Sequence, residues 1–186
     1  VNKRFGITPD HDMALMKPGQ TLNELVARAI QGLDPIIEEE RPDVIISQGD
    51  TSTAMVAALA GFHKGVKVVH LEAGLRTGNI FSPFPEEANR KIIGQIASLH
   101  LAPTNESREN LRRENFRSKD IVVTGNTVID ALIAASEWDV QFDDSRLEEL
   151  RNSNEKLVLV TTHRRENLDA MKEIGGAVQD LSLIHI

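Results

Sequence analysis

The chain of 186 residues contains no cysteine. That excludes disulfide frameworks and thiolate zinc sites, and it fits a reducing cytoplasm, the location expected here. No apolar run approaches the roughly 20 residues that a membrane-spanning helix needs, and no signal-peptide pattern is visible. No membrane partner is therefore expected. The formal net charge of −7 argues against general nucleic-acid binding. The cationic stretches "SRENLRREN" and "HRREN" also lack the interleaved aromatic residues of single-strand binders. Local Arg and Lys groups still leave room for a small anionic ligand. Three motifs are missing as well. There is no His-x-His or His-Glu-x-x-His spacing for a metal, no Gly-x-Gly-x-x-Gly for a nicotinamide cofactor, and no Gly-x-Ser-x-Gly nucleophile elbow. Neither metal nor cofactor is expected.

What remains is an ordinary globular composition, 40% hydrophobic and 26% charged, enough for one domain or for one domain and part of another. Val1 is not an initiator Met, and the chain stops at "LSLIHI" just after a polar helix has begun. The expectation is a piece of a longer gene, with residues 181–186 a non-native tail.

Along the chain, β-branched runs alternate with helical periodicity. Thr21 and Glu24 form a capping-box pattern ahead of Leu22, Leu25, Val26, Ala29, Ile30 and Leu33, with Pro35 expected to kink or end that helix. "DVIIS" reads as a buried parallel strand. "TSTAMVAALAGFHKG" reads as a helix with Thr51 or Ser52 at its start and Gly65 as its stop. The alternation continues with "VKVVHL", "EEANRKIIGQIAS", "LHLAP", "NESRENLRREN" from Thr104, "DIVVTG" and "TVIDALIAASEW". After an acidic stretch come "KLVLVTT" as a further strand and a helix from near Glu166. Repeated βαβ units predict an α/β fold with a doubly wound parallel sheet. A boundary is expected at about Gly125, giving domains at 1–124 and 125–186.

In such sheets ligands gather beyond the carboxyl ends of the strands. Asp50 follows "VIISQG", Glu72 follows "VVHL", His163 follows "LVLVTT", and Glu86 ends the loop that leaves Glu72. Each also has a plainer reading. Asp50 could cap the helix that opens at Thr51, and Glu72 could pair with Arg76 at the surface. Glu86 and Glu87 could complement a helix dipole. His163, followed by Arg164 and Arg165, suits a phosphate or a general acid. His70 reads as a strand residue, and His63 and His100 as helix-end and strand packing.

Four stretches in this order, "GDTSTA", "HLEAGLRTGNIFSPFPEEANR", "TGNTVIDAL" and "VTTHRREN", resemble the non-hydrolysing bacterial UDP-N-acetylglucosamine 2-epimerases from about Gln20 to about Asn167. The resemblance implies a GT-B-type architecture of two Rossmann-like domains, partial at both ends, with the family's first strand and most of the second domain lacking. It implies an isomerase that interconverts UDP-GlcNAc and UDP-ManNAc by elimination of UDP to a 2-acetamidoglucal and re-addition. It further implies catalytic roles for Asp50, Glu72, Glu86 and His163, substrate binding by His163, Arg164 and Arg165, an effector contact at Arg28, a homodimer, and a place in surface-polysaccharide synthesis. The polypeptide as given is expected to fold poorly and to lack activity. The competing expectations are a 2-epimerase of a modified UDP-sugar such as a diacetamido uronic acid, a GT-B UDP-sugar glycosyltransferase, and an inactive nucleotide-sugar-binding protein.

Overall fold

The computed structural model describes residues 2–154, 158–162 and 170–183. They divide into two compact units, Val1–Asn126 and Thr127–Ile186.

In the first unit, a short 3-10 turn (Asn2–Phe5) and an irregular segment lead to α1 (Leu22–Glu40). Thr21 Oγ1 accepts from the Glu24 amide at 3.1 Å, and the Glu24 carboxylate accepts from the Thr21 amide at 2.7 Å. This reciprocal box satisfies two amides that the helix leaves open. Pro35 does not end α1. The helix runs five residues further, because Ile37 still buries its side chain and Arg41 closes the last turn in the left-handed region at φ 46°. One missing backbone donor is outweighed by continued apolar packing.

Four strands follow: β1 (Val44–Gln48), β2 (Lys67–Leu71), β3 (Leu99–Ala102) and β4 (Ile121–Val123). They pair in parallel in sequence order, so β1 and β4 are the sheet edges. The connecting helices are α2 (Ser52–His63), α3 (Glu86–Ile96) and α4 (Asn105–Arg113). Right-handed crossovers between successive neighbours place all three on one face. The core confirms it: Ala58 of α2 and Ile93 of α3 pack on Val68, while Leu111 of α4 packs on Ala73, Ala102 and Ile121. On the other face Val44, Ile46 and Val122 are exposed. A helix approaches the sheet closely at Gly61, where a Cβ would fall 2.5 Å from Ile45 Cδ1.

The second unit holds α5 (Thr127–Ser136), α6 (Ser145–Asn152) and α7 (Met171–Leu183). None of its described residues is buried. The helix α6 lies inside what the sequence presented as an acidic stretch. Asp144 caps it, its carboxylate accepting from the Arg146 amide at 2.9 Å. The expected strand "KLVLVTT" is not found in its described part, residues 158–162, which have no regular structure. A parallel strand is stabilised by ladder bonds to neighbours, and the described residues of this unit contain no other strand to supply them. The expected helix start near Glu166 lies outside the described residues.

Candidate active site

Asp50 and Glu72 leave the sheet side by side. Gln48 pairs with Leu71 in register, Gly49 adds one more ladder bond through its amide to the Leu71 carbonyl at 2.9 Å, and the two acids come next on each strand. Gly49 has φ 75°, a conformation that costs glycine little. Glu72 has φ 66°, where a residue with a Cβ is strained. A Cβ on Gly49 would lie 3.7 Å from Glu72 Oε2. The turn thus lets a carboxylate lie over the neighbouring backbone.

His70, buried to 1% exposure, supports this turn from beneath. Its Nε2 lies 2.8 Å from the Gly49 carbonyl. A carbonyl only accepts, so Nε2 carries the proton and Nδ1 is the bare nitrogen. Burial pushes the His70 pKa down, partly opposed by that hydrogen bond, which keeps the ring neutral.

The cation of the site is Arg90, on the buried face of α3. Its Nη2 and Nε donate to Asp50 Oδ2 at 2.6 and 3.0 Å, and its Nη1 donates to Glu87 Oε2 at 3.1 Å. Asn89 Nδ2 donates to the Asp50 carbonyl at 2.8 Å. Asp50 is therefore not the cap of α2. Thr51 takes that role, its Oγ1 accepting from the Ala54 amide at 3.1 Å. Nor does Glu72 pair with Arg76, which turns away to form a two-toothed bridge with Glu114 at 2.8 and 2.9 Å. The Glu72 carboxyl is held above the ordinary carboxylate value, first by burial and then by the Asp50 charge, with Arg90 opposing. A carboxyl that holds its proton above the ordinary range can serve as a proton donor beside a second carboxylate.

Glu86 opens α3, one turn ahead of Asn89 and Arg90, after the loop of residues 72–85. Glu87 departs from its plainer reading as a helix-start charge. It is wholly buried and bridges Arg90 to the Gly78 amide, which donates to Oε1 at 3.3 Å. Sequence reasoning missed Asn89, Arg90 and this role of Glu87. The signal available was the i, i+3 spacing of Glu87 and Arg90 in "PEEANR". Arg28 sits on α1, its Nη2 donating to the Leu15 carbonyl at 3.1 Å and to Gln20 Oε1. His163, Arg164 and Arg165 lie outside the described residues. Among the described residues no group of His, Cys, Asp and Glu could hold a metal ion.

The comparisons with known proteins cover almost the whole chain. The family model described as UDP-N-acetylglucosamine 2-epimerase matches residues 1–185. The UDP-N-acetylglucosamine 2-epimerases of Escherichia coli and Salmonella typhimurium are each 44% identical to this chain, covering 100% and 97% of it and 51% and 52% of their own lengths. The chain thus spans about half the length of the curated relatives it matches. A crystal structure of the Neisseria meningitidis UDP-GlcNAc 2-epimerase bound to UDP-GlcNAc superposes with a TM-score of 0.86 at 38% identity, over 97% of this chain and 50% of that one. The Methanocaldococcus jannaschii enzyme, in complex with UDP-GlcNAc and UDP, gives 0.80 at 28% identity, over 97% and 49%. The architecture is accordingly the α/β, GT-B type, and this chain belongs to the UDP-N-acetylglucosamine 2-epimerase family.

Proposed function

We propose that the protein carrying this chain is an isomerase that inverts C2 of UDP-GlcNAc to give UDP-ManNAc, through elimination and re-addition of UDP. The observation that supports this most is the pairing of Asp50 with Glu72 at adjacent strand exits, Asp50 gripped by Arg90 and Glu72 holding its proton above the ordinary carboxylate range. The substrate class comes from the related Neisseria meningitidis and Methanocaldococcus jannaschii structures, which are bound to UDP-GlcNAc and to UDP-GlcNAc and UDP.

The C2 proton of a sugar is weakly acidic, so its removal needs a positioned base and a leaving group that departs with help. In this reading a carboxylate takes the C2 proton, and the released pair forms the C1–C2 double bond. The C1–oxygen bond breaks, its electrons leaving with UDP. Re-addition of UDP to C1, with a proton delivered to the other face of C2, gives the epimer. Glu72 and Glu86 are assigned to proton handling near C2, and Asp50 as an acid, a base or their orienting partner. His163, with Arg164 and Arg165, is assigned to the departing diphosphate. Arg28 is assigned to an effector contact. The homodimer and the supply of surface-polysaccharide synthesis belong to the same proposal and rest on the resemblance.

Incubating UDP-GlcNAc with the protein in heavy water and following C2 by NMR tests this. The expected outcome is the manno epimer with solvent deuterium at C2. Transfer of the sugar to an added acceptor, or binding with no exchange, would contradict it.

A further inference from the structure

The loop of residues 72–85 separates the acids assigned to proton transfer, and its path is held at two carboxylates, Glu114, which is half-buried, and Glu87, which is wholly buried. Near its start, Arg76 is clamped by Glu114 at the end of α4, with Lys91 Nζ also on Glu114 at 2.7 Å. Two residues on, the Gly78 amide is held by Glu87. Beyond that point the loop is tied to itself, Thr77 Oγ1 donating to the Ser82 carbonyl at 2.6 Å and the Phe81 amide to Asn79 Oδ1 at 3.0 Å.

The Glu114 clamp ends at the loop, whereas Glu87 reaches further. One oxygen takes the Gly78 amide and the other takes Arg90 Nη1, and the same guanidinium grips Asp50 through Nε and Nη2. A continuous path of hydrogen bonds therefore runs from the loop backbone to the Asp50 carboxylate. Gly78 is exposed at one end of the path and Asp50 is half-buried at the other; between them Glu87 and Arg90 are 0% and 9% exposed. Without Glu87, Arg90 would face one carboxylate, and nothing in this path would set the angle at which its plane meets Asp50.

We propose that Glu87 is a positioning residue for the epimerisation assigned above: it fixes the Arg90 guanidinium against Asp50 and locks the 72–85 loop to the same point. This rests on the epimerase reading. A buried ion pair is weak evidence for a contribution to stability alone, but a carboxylate that uses both oxygens to join a loop to a reacting group sets geometry. A displacement on the order of 1 Å at such a group costs about a hundredfold in rate.

The test is Glu87→Gln in the protein that carries this chain, assayed for UDP-GlcNAc epimerisation well below the unfolding temperature. Glutamine keeps the shape but replaces one oxygen with NH2, which meets either the Gly78 N–H or the Arg90 N–H, donor against donor. The expected result is a fall in kcat of roughly 30- to 100-fold with KM within about threefold of the parent. A folded variant with kcat within about twofold of the parent overturns the proposal. Should Glu87→Gln fail to fold, Glu87→Asp decides. It retains the charge but is one methylene too short to reach both partners, and a kcat about tenfold down supports the proposal while an unchanged kcat overturns it. An inactive parent would overturn the epimerase reading and this inference with it. An active parent with equally active variants would overturn this inference alone.

Discussion

At the residue scale, most of the site's behaviour follows from which polar groups are buried and what faces them. His100, cross-strand from His70 and tilted against Phe116 with ring centroids 4.7 Å apart, is held at a pKa of about 4, first by burial and then by its electrostatic interaction with His70 and Arg76. The folded value lies below the ordinary one of 6.5, so the neutral ring favours folding. That contribution is complete above pH 6.5 and is lost as the pH falls from 6.5 towards 4. It amounts to on the order of 3 kcal/mol. Urea unfolding between pH 7 and 4 should show this loss, and His100→Leu should make the slope shallower, with His70 contributing in the same direction. Equal slopes in the two proteins would contradict the assignment. Asp50, Glu72 and Glu86 were legible as candidates because strand exits can be found from hydrophobic patterning. Arg90 and Glu87 were less so. Helical spacing shows that the two can meet, but their burial depends on how α3 lies against the exit of β1, which local sequence does not encode.

At the element scale, the 72–85 loop is seated by close contact as well as by charge. Gly74, at φ 90°, leaves so little room that a Cβ would stand 2.2 Å from the Ser107 carbonyl of α4. Backbone cannot move aside as a flexible side chain can. Gly74→Ala should therefore destabilise the fold by about 3 kcal/mol or more, measured by denaturant unfolding. An effect below about 1 kcal/mol would show that the loop is seated otherwise. The Glu114 clamp makes a second prediction. Arg76 first, and then Lys91, hold the Glu114 carboxyl at a pKa of about 2 against the opposing effect of its burial. A depressed folded value favours folding above the ordinary carboxylate range, and the effect fades as the pH falls from about 4.5 to 2. Glu114→Gln should cost roughly 2 kcal/mol at pH 7 and progressively less in acid. A cost that does not change with pH would contradict the clamp. Helix caps were readable in advance: Thr21, Thr51 and Thr104 all accept from the amide three residues on. Passage of α1 through Pro35 was not readable, because packing of Ile37 decided it. The helix α6 was hidden by its charge, since it buries no residue and leaves no apolar stripe to read.

At the scale of the whole molecule, three successive parallel pairings and right-handed crossovers account for where the acids stand. Parallel strands all exit at the same end of the sheet, so the residues after β1 and β2 emerge side by side and α3 brings Arg90 across them. Three of the four motifs from which the family could be read, "GDTSTA", "HLEAGLRTGNIFSPFPEEANR" and "TGNTVIDAL", mark a strand exit or a helix start, the points where backbone geometry and chemistry coincide; "VTTHRREN" lies mostly outside the described residues. The second unit was read less well. An apolar run such as "KLVLVTT" has the composition of a strand, but strand formation also depends on neighbours, which the described residues of that unit do not include.

The central claim is that proton transfer at C2 of a UDP-sugar is carried by Glu72 at the exit of β2 and Glu86 at the start of α3, with Asp50 at the exit of β1 beside them. Its most direct test is the rate at which UDP-GlcNAc exchanges its C2 proton with heavy water, in the parent protein and in Glu72→Gln. A parent that exchanges and a folded variant slowed by roughly 10²- to 10⁴-fold is the predicted result; a variant exchanging within about tenfold of the parent would contradict it.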